Sequence, residues 1–143
     1  MIDLRQVVFG SPEYEATVEL RREILRRPLG LDFTAEQLAA EDTEIHLALF
    51  DEGVVLACLV LVGLQDGRVK MRQVAVRRDR QGQGLGRRLV QAAEAEAKGQ
   101  GFLTMVLHAR ETAVPFYRAL GYSVDGEPFE EVGIPHFAMS KKM

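Results

Sequence analysis

The stretch Val69–Val90 constrains the fold of this chain more than any other part of the sequence. Residues 69–76 alternate between two sides and are rich in β-branched side chains, a pattern typical of a strand. The segment Gln81–Gly86 (QGQGLG) follows, with a glycine at every second position. From Leu85 onward, apolar residues recur at the spacing of one helix face. The sequence therefore predicts a strand, a glycine-rich turn and a helix.

The glycine-rich turn favours an anion site, because the unpaired N–H groups of a first helical turn and the positive end of the helix dipole face the same point. The P-loop pattern GxxxxGK[ST] is absent, and so is GxGxxG followed by an acidic residue about twenty positions on. The simpler interpretation is a plain turn whose glycines only supply positive φ angles. The glycines alone leave this choice open.

The turn resembles the pyrophosphate loop of the GNAT N-acetyltransferases, whose pattern is Arg or Gln, two residues, Gly, one residue, and Gly or Ala. Gln81, Gly84 and Gly86 match it. In that family the loop amides hold the pyrophosphate of acetyl-CoA, and the preceding strand pairs its backbone with the pantetheine arm. The resemblance therefore implies acetyl-CoA as cosubstrate. The implied contacts are Val74, Ala75, Val76, Gln81, Gly82, Gln83, Gly84, Leu85, Gly86 and Arg87.

A second stretch, Phe116–Tyr122 (FYRALGY), resembles the signature that closes the GNAT core. Tyr117 stands at the position of the family's usual general acid, although a core aromatic is the simpler interpretation. Family members often carry Asn seven residues earlier, where this chain has Arg110, so no Asn-like role is transferred. The resemblance covers nearly the whole chain. The chain is similar to a branch of small bacterial GNAT proteins akin to the ElaA/YjcF group.

The resemblance implies an α/β fold of GNAT type, a mixed, mainly antiparallel sheet flanked by helices. The length predicts one domain, residues 1–143. Three successive strands are predicted to form an antiparallel meander. Strands 69–76 and 102–108 are predicted to pair in parallel across a helical crossover and to leave a splayed notch at their ends. The other predicted elements are a strand 2–9, helices 12–27, 34 onward and 111–120, and a last strand near 136–140 at a sheet edge.

Acetyl transfer to an amine requires a neutral amine, a polarised carbonyl and a proton for the departing thiolate. Besides Tyr117 as the acid, His136 and Glu131 are the catalytic candidates, and His108 closes a strand beside the predicted notch. Imidazole suits proton transfer near neutral pH, although a lone histidine is more often structural. The choice among these groups stays open at this stage.

The acceptor contacts predicted from the sequence are Arg21, Arg72, Gln73 and His108. Arg21 lies in the apolar stripe of the first helix, so it either reaches the edge or pairs with a buried or substrate anion. Arg72 and Gln73 point to opposite faces of a regular strand, so at most one faces the acceptor directly. The arginines hint at an acceptor with a carboxylate or a phosphate.

Composition excludes several other classes. The formal net charge of −3 gives no general attraction to nucleic acid or to an anionic membrane. The single cysteine, Cys58, excludes an internal disulfide and favours a reducing compartment, which we take to be the bacterial cytoplasm. Three scattered histidines and one cysteine predict no metal site. No segment has the pattern of a membrane span or a signal peptide.

The resemblance implies an N-acetyltransferase that transfers the acetyl group of acetyl-CoA to a primary amine by direct attack in a ternary complex. The acceptor is a small molecule or a peptide. The alternative is an acyl-CoA-binding regulatory module without turnover, and a weaker one is a domain that binds another phosphate ligand. Exposed edge strands in such folds often pair, so a homodimer is a further expectation.

Overall fold

Seven strands form one mixed sheet in the computed structural model, which describes residues 1–143, in the order β1-β2-β3-β4-β5-β7-β6. The predicted fold class is confirmed. The strands are β1 Ile2–Val7, β2 Ile45–Asp51, β3 Val54–Gly63, β4 Arg68–Val76, β5 Thr104–Arg110, β6 Ser123–Glu131 and β7 Ile134–Lys142. The α-helices are α1 Pro12–Arg21, α2 Ala35–Ala39, α3 Leu85–Gly99 and α4 Val114–Ala119.

The two faces of the sheet carry separate apolar cores. Alternate residues of β2 divide between them, with Leu47 and Leu49 on the α3 side and Ala48 and Phe50 on the α1 side. The meander β2–β3–β4 is antiparallel, and β4 and β5 run parallel across the α3 crossover, as predicted. No helix of the protein is both long enough and apolar enough to cross a bilayer.

A β-bulge at Gln73 changes the direction of the β4 side chains. Val60 pairs with Arg72, whereas Cys58 pairs with Ala75, so β4 has one extra residue here. Gln73 has a φ of 58°. The predicted strict alternation is therefore wrong beyond Met71, because the side chains after the bulge exchange faces. Ala75 consequently packs in the α1 core, while Val74 and Val76 pack against the α3 core.

The notch predicted between β4 and β5 is confirmed. The two strands pair only from Arg68–Thr104 to Met71–Leu107. β4 continues to Val76, while β5 continues along β7 instead. The backbone of β4 beyond Met71 therefore has no partner strand on its β5 side.

The C-terminal region differs from the prediction. It forms a hairpin of two strands, β6 and β7, where a loop and one strand were expected. β7 lies between β5 and β6, so the edge position predicted for the last strand is wrong. The sequence did not predict β6 because this strand contains Gly126, Pro128 and several acidic residues, all of which are uncommon in strands. The hairpin turn is also unusual, since the β-branched Val132 has a φ of 47° before Gly133.

The helical segments on either side of the notch are less regular than predicted. α1 ends at Arg21 and continues as a π-helical turn, Arg22–Arg26, before a 3₁₀ turn at Arg27–Leu29. The region predicted as helix 111–120 is a 3₁₀ turn followed by the short α4. A wide π turn often marks a functional region, and this one lies beside the notch.

Arg21 forms a buried ion pair with Glu41 and does not line the notch. The Arg21 side chain is 1% exposed, and its two terminal nitrogens donate to the Glu41 carboxylate over 2.8 and 2.7 Å. The Tyr14 hydroxyl donates to the same carboxylate over 2.8 Å. Of the alternatives left by the sequence, the buried anion is the one observed, so the prediction of an acceptor contact at Arg21 is corrected.

We expect Glu41→Gln to lower the free energy of unfolding by about 3–5 kcal/mol, because it leaves a buried guanidinium without its counter-charge. Burial disfavours the Glu41 carboxylate, but the hydrogen bonds and charge of Arg21 outweigh it and lower its pKa. The stabilisation is therefore present at neutral pH and lost as the pH falls through this lowered pKa. Urea denaturation measures it, with the exposed Glu127→Gln as control. An equal, small effect of both changes would contradict the assignment.

Candidate active site

Two clefts open at the notch and meet at Tyr117. The larger, of about 610 Å³, extends along the end of β4 to the glycine-rich turn and the first turn of α3. The smaller, of about 360 Å³, lies between β4, β5, the π turn and the C-terminal hairpin. Tyr117, Val74 and Ala113 line both clefts. The two clefts therefore adjoin at these three residues.

The glycine-rich turn has the backbone of an anion cradle. Gly82 and Gly84 have φ angles of 78° and 80°, and a Cβ on either would meet no atom within 4 Å, so their outer side is open. Gly84 caps α3 without any side-chain cap, which leaves the first N–H groups of the helix free for a ligand. Arg80 and Arg87 add positive charge at this cleft.

Gln81 and Gly86 have different tasks in this turn. The Gln81 side-chain amide donates to the Val76 carbonyl over 3.0 Å and so fastens the turn to the end of β4. A Cβ on Gly86 would lie 3.3 Å from the Phe116 ring, so glycine lets α3 pack closely against α4. This close approach brings the first turn of α3 near Tyr117.

Most of the predicted cofactor contacts lie on one wall of the larger cleft. Two do not, since Ala75 is buried in the α1 core after the bulge, and the Gln83 side chain is exposed and accepts from Arg80 over 3.0 Å. Four residues of this cleft were not predicted from the sequence, namely Ile24, Arg80, Ala113 and Phe116. The arginine density near the turn was the only available signal for Arg80. The predicted residues on the wall are Val74, Val76, Gln81, Gly82, Gly84, Leu85, Gly86 and Arg87.

Tyr117 is held in an apolar environment. The residue is 7% exposed, and its ring packs edge-on against Phe116 and Tyr122 at centroid distances of 5.0 and 5.7 Å. Its hydroxyl makes no hydrogen bond within the protein. Burial raises the pKa of the phenol to about 12, so Tyr117 is protonated throughout the neutral range. The phenol is therefore available to donate a hydrogen bond at the junction of the clefts.

The three proton-transfer candidates named from the sequence come together in the smaller cleft. Glu131 lies between two histidines, with Oε1 at 3.2 Å from Nδ1 of His108 and Oε2 at 3.5 Å from Nε2 of His136. His136 is 4% exposed, and its Nδ1 lies 2.9 Å from the Ile134 carbonyl oxygen. Because Nδ1–H donates to that carbonyl, the Nε2 atom of neutral His136 carries the free lone pair.

Four cationic side chains line the same cleft, and Glu131 is its only acidic residue. Arg72 and Gln73 both line it, although consecutive residues of a regular strand point to opposite faces, because the bulge interrupts the alternation here. Arg72 lies 3.8 Å from Glu44, and Gln73 Oε1 is buried without a hydrogen-bond partner. The four cations are Arg26, Lys70, Arg72 and Arg110. No group of three or more histidine, cysteine, aspartate or glutamate side chains is placed to hold a metal ion.

Comparison with known proteins agrees with this geometry. The family model described as "Acetyltransferase (GNAT) domain" matches residues 29–143, which is most of the chain. The protein therefore belongs to the GNAT acetyltransferases, and the family resemblance drawn from the loop and from the FYRALGY motif is confirmed.

The relatives and solved structures show what the chain is similar to. Bacillus subtilis YjcF, named an uncharacterized N-acetyltransferase, is 35% identical over 79 residues, or 54% of this chain and 56% of YjcF. The chain's matches span about half the length of such curated relatives. Escherichia coli ElaA has a TM-score of 0.85 at 19% identity, with 99% of both chains covered. An aminoglycoside 6'-N-acetyltransferase complexed with coenzyme A has a TM-score of 0.83 at 17% identity, with 98% and 96% covered.

We expect Gly84→Asp to abolish measurable binding of coenzyme A, because a carboxylate would stand where the free N–H groups attract an anion. Gly126→Asp is the matched control. Gly126 has the same φ of 80° and equally open surroundings, but it lies on β6 away from both clefts. Both substitutions place an aspartate at the same positive φ, so calorimetric titration with coenzyme A separates the effect of that backbone angle from the effect of charge at the turn. Equal affinity of the two variants would show that the ligand lies elsewhere.

Proposed function

We propose that this protein is an N-acetyltransferase that transfers the acetyl group of acetyl-CoA to a primary amine. The observation that carries the proposal is the position of the Tyr117 phenol at the junction of two clefts, of which one has an anion cradle and the other a proton acceptor. Direct attack within a ternary complex requires both substrates to be bound at the same time, with the amine nitrogen next to the thioester carbon. Two clefts that meet at a buried phenol supply that arrangement.

In this proposal acetyl-CoA occupies the larger cleft, with its pyrophosphate at the glycine-rich turn and its thioester at Tyr117. Its pyrophosphate binds the free N–H groups at Gly84 and the first turn of α3, between Arg80 and Arg87. The pantetheine arm extends along the part of β4 that has no partner strand, since an amide-bearing chain can pair there as a strand would. The thioester then lies beside Val74 and Tyr117, where the amine enters from the smaller cleft.

His136 is the base of the proposed reaction. Its Nε2 lone pair takes the proton that the amine must lose, directly or through one water molecule. The Glu131 carboxylate, 3.5 Å away, stabilises the imidazolium that forms. Because both side chains belong to the C-terminal hairpin, their relative position is fixed by one turn.

The bond changes follow from these positions. The neutral amine nitrogen attacks the thioester carbon, the C–S bond breaks, and the electron pair of that bond goes to sulfur. The N–C bond forms as the C–S bond breaks, and the nitrogen gives up one proton as it becomes an amide. That proton passes to the sulfur, so that coenzyme A leaves as the thiol, while the Tyr117 O–H donates a hydrogen bond to the departing sulfur and keeps its own proton. The raised pKa of Tyr117 makes it a weaker acid than an ordinary phenol, so its main contribution is a hydrogen bond that strengthens as charge develops on sulfur.

Acetyl-CoA titration and a thiol-release assay against a panel of amines test the proposal. We expect Tyr117→Phe to lower kcat by about 10²-fold while leaving the Kd for acetyl-CoA within about twofold, because only the interaction with the departing sulfur is removed. For the parent protein, the loss of kcat at high pH should lie near pH 12, where the phenol ionises, and therefore above the stable range of most assays.

The outcomes separate the alternatives. Binding of acetyl-CoA without thiol release from any amine would favour a regulatory module that senses acyl-CoA. Absence of binding would overturn the cosubstrate assignment, and preference for another phosphate ligand would favour the third alternative. Equal turnover by the parent and the phenylalanine variant would remove Tyr117 from the reaction.

We expect His136→Gln to lower kcat by about 10²-fold, since glutamine keeps a polar atom near Nε2 but cannot accept a proton at neutral pH. Glu131→Gln should give a smaller loss, because the base remains and only its counter-charge is removed. Glu130→Gln, an exposed neighbour on the same strand, is the matched control for charge. Steady-state kinetics with any amine that is turned over measures all three. Unchanged kcat in His136→Gln would assign the base elsewhere.

We also propose, from the sequence, that the protein works in the cytoplasm and pairs as a homodimer through an edge strand. The single thiol, Cys58, is buried, and burial raises its pKa to about 12, which keeps it unreactive. The outer strands of the sheet are β1 and β6. These two strands are the surfaces that strand pairing between protomers would use.

A further inference from the structure

Two arginines in the smaller cleft are held together without a counter-ion. The Arg26 guanidinium lies 3.3 Å from the Leu25 carbonyl oxygen, and the Arg110 guanidinium lies 3.0 Å from the same oxygen. Neither forms an ion pair with any carboxylate of the protein. Two positively charged guanidinium groups from distant parts of the chain thus donate hydrogen bonds to one neutral carbonyl oxygen.

This arrangement opposes the stability of the folded protein. Burial lowers the pKa of both arginines, and the charge of Arg110 adds to the effect on Arg26. Glu131 is the acidic residue that faces them in the cleft, but its two oxygens lie against His108 and His136. Two half-buried positive charges without a counter-ion destabilise the folded protein unless an anionic ligand neutralises them.

Most N–H groups of the Arg26 and Arg110 guanidinium groups remain free to bind a ligand. The Arg26 guanidinium lies over the Phe33 ring, 4.7 Å from its centroid, which fixes its plane without using its N–H groups. Each guanidinium has five N–H donors, and each gives one hydrogen bond to the Leu25 carbonyl. The remaining donors suit the two oxygens of a carboxylate or of a phosphate, which arginine binds in a bidentate manner.

The anion site lies directly beside the proposed base. Arg110 pairs with His136 across the β5–β7 ladder, and Cα atoms of such partners are about 4.5–5.5 Å apart. His108 stands two residues before Arg110 on β5, so the two side chains project to the same side of the sheet. An amine at His136 and an anion at Arg110 can therefore belong to one small molecule.

We propose that the acceptor is a small primary amine that also carries a carboxylate or a phosphate, bound by Arg26 and Arg110. The proposal rests on the function proposed above and deepens it. Arg110 occupies the place where the family often has asparagine, and the charge it brings becomes the acceptor-selecting feature of this chain. The sequence hinted at an anionic acceptor through Arg21 and Arg72, but the residues that carry the inference are different ones.

Matched acceptors test the proposal. Ethanolamine, β-alanine and O-phosphoethanolamine have the same two-carbon amine and differ in a hydroxyl, a carboxylate and a phosphate. A second series compares α-amino acids and 4-aminobutyrate with their amides. We expect kcat/KM for the preferred anionic acceptor to exceed that of its neutral counterpart by about 10- to 100-fold, the size of a lost charged hydrogen bond. The carboxylate and phosphate members identify which anion is used.

Arginine variants locate the preference. Arg110→Gln and Arg26→Gln should each reduce the ratio of anionic to neutral kcat/KM by about tenfold or more, whereas Arg68→Gln, an exposed arginine at the opposite end of β4, should keep it. Arg110→Lys, which retains the charge without the bidentate fork, should give an intermediate ratio and serves if glutamine disturbs folding. Thermal denaturation and acetyl-CoA affinity establish that each variant is folded.

The results distinguish this inference from the proposed function. Turnover of neutral amines at equal or higher kcat/KM, or a ratio that survives in both glutamine variants, overturns the anionic acceptor and leaves the acetyltransferase intact. Binding of acetyl-CoA without turnover of any anionic member also overturns it. Failure to bind acetyl-CoA overturns the proposed function itself.

Discussion

The pairing between β4 and β5 ends at Met71–Leu107, and both clefts depend on this termination. Two parallel strands that stayed paired would leave no space between them and no unpaired backbone. The bulge at Gln73 accompanies the separation and turns Val74 and Val76 toward the α3 side, where the larger cleft forms. β5 meanwhile finds its partner in β7. The sheet thus keeps its hydrogen bonds on either side of a gap, and the gap receives Tyr117.

The local features of this arrangement could be predicted from the sequence. The strand β4, the glycine-rich turn and α3 are contiguous, and each has a short-range signal in side-chain periodicity or in glycine spacing. Local hydrogen bonds also fix two helix starts, since Ser11 caps α1 and Thr34 with Gln37 forms a capping box at α2. These elements follow from interactions within a few residues. The parallel crossover then follows from the handedness and length of the connection between two strands.

The rest could not be predicted because it depends on partners far apart in the sequence. A bulge is a property of two strands, so the alternation of β4 alone gave no sign of Gln73. Strand β6 has poor strand propensity and forms because β7 holds it. Arg21 had the right pattern for a cleft residue, but Glu41, twenty positions away, neutralises it. Arg26 and Arg110 are 84 positions apart, and only the folded chain brings both to the Leu25 carbonyl.

The two clefts are built from different parts of the chain. Apart from Ile24, Ala113 and the α4 aromatics, the larger cleft uses one continuous segment from Val74 to Arg87. The smaller cleft adds the π turn and the C-terminal hairpin, which the larger cleft does not use apart from Ile24. Substitutions in those two regions can therefore alter the lining of the smaller cleft while, apart from Ile24, the lining of the larger cleft stays the same. The two clefts can thus change independently, because most residues that line only the smaller cleft lie far along the chain from the glycine-rich turn.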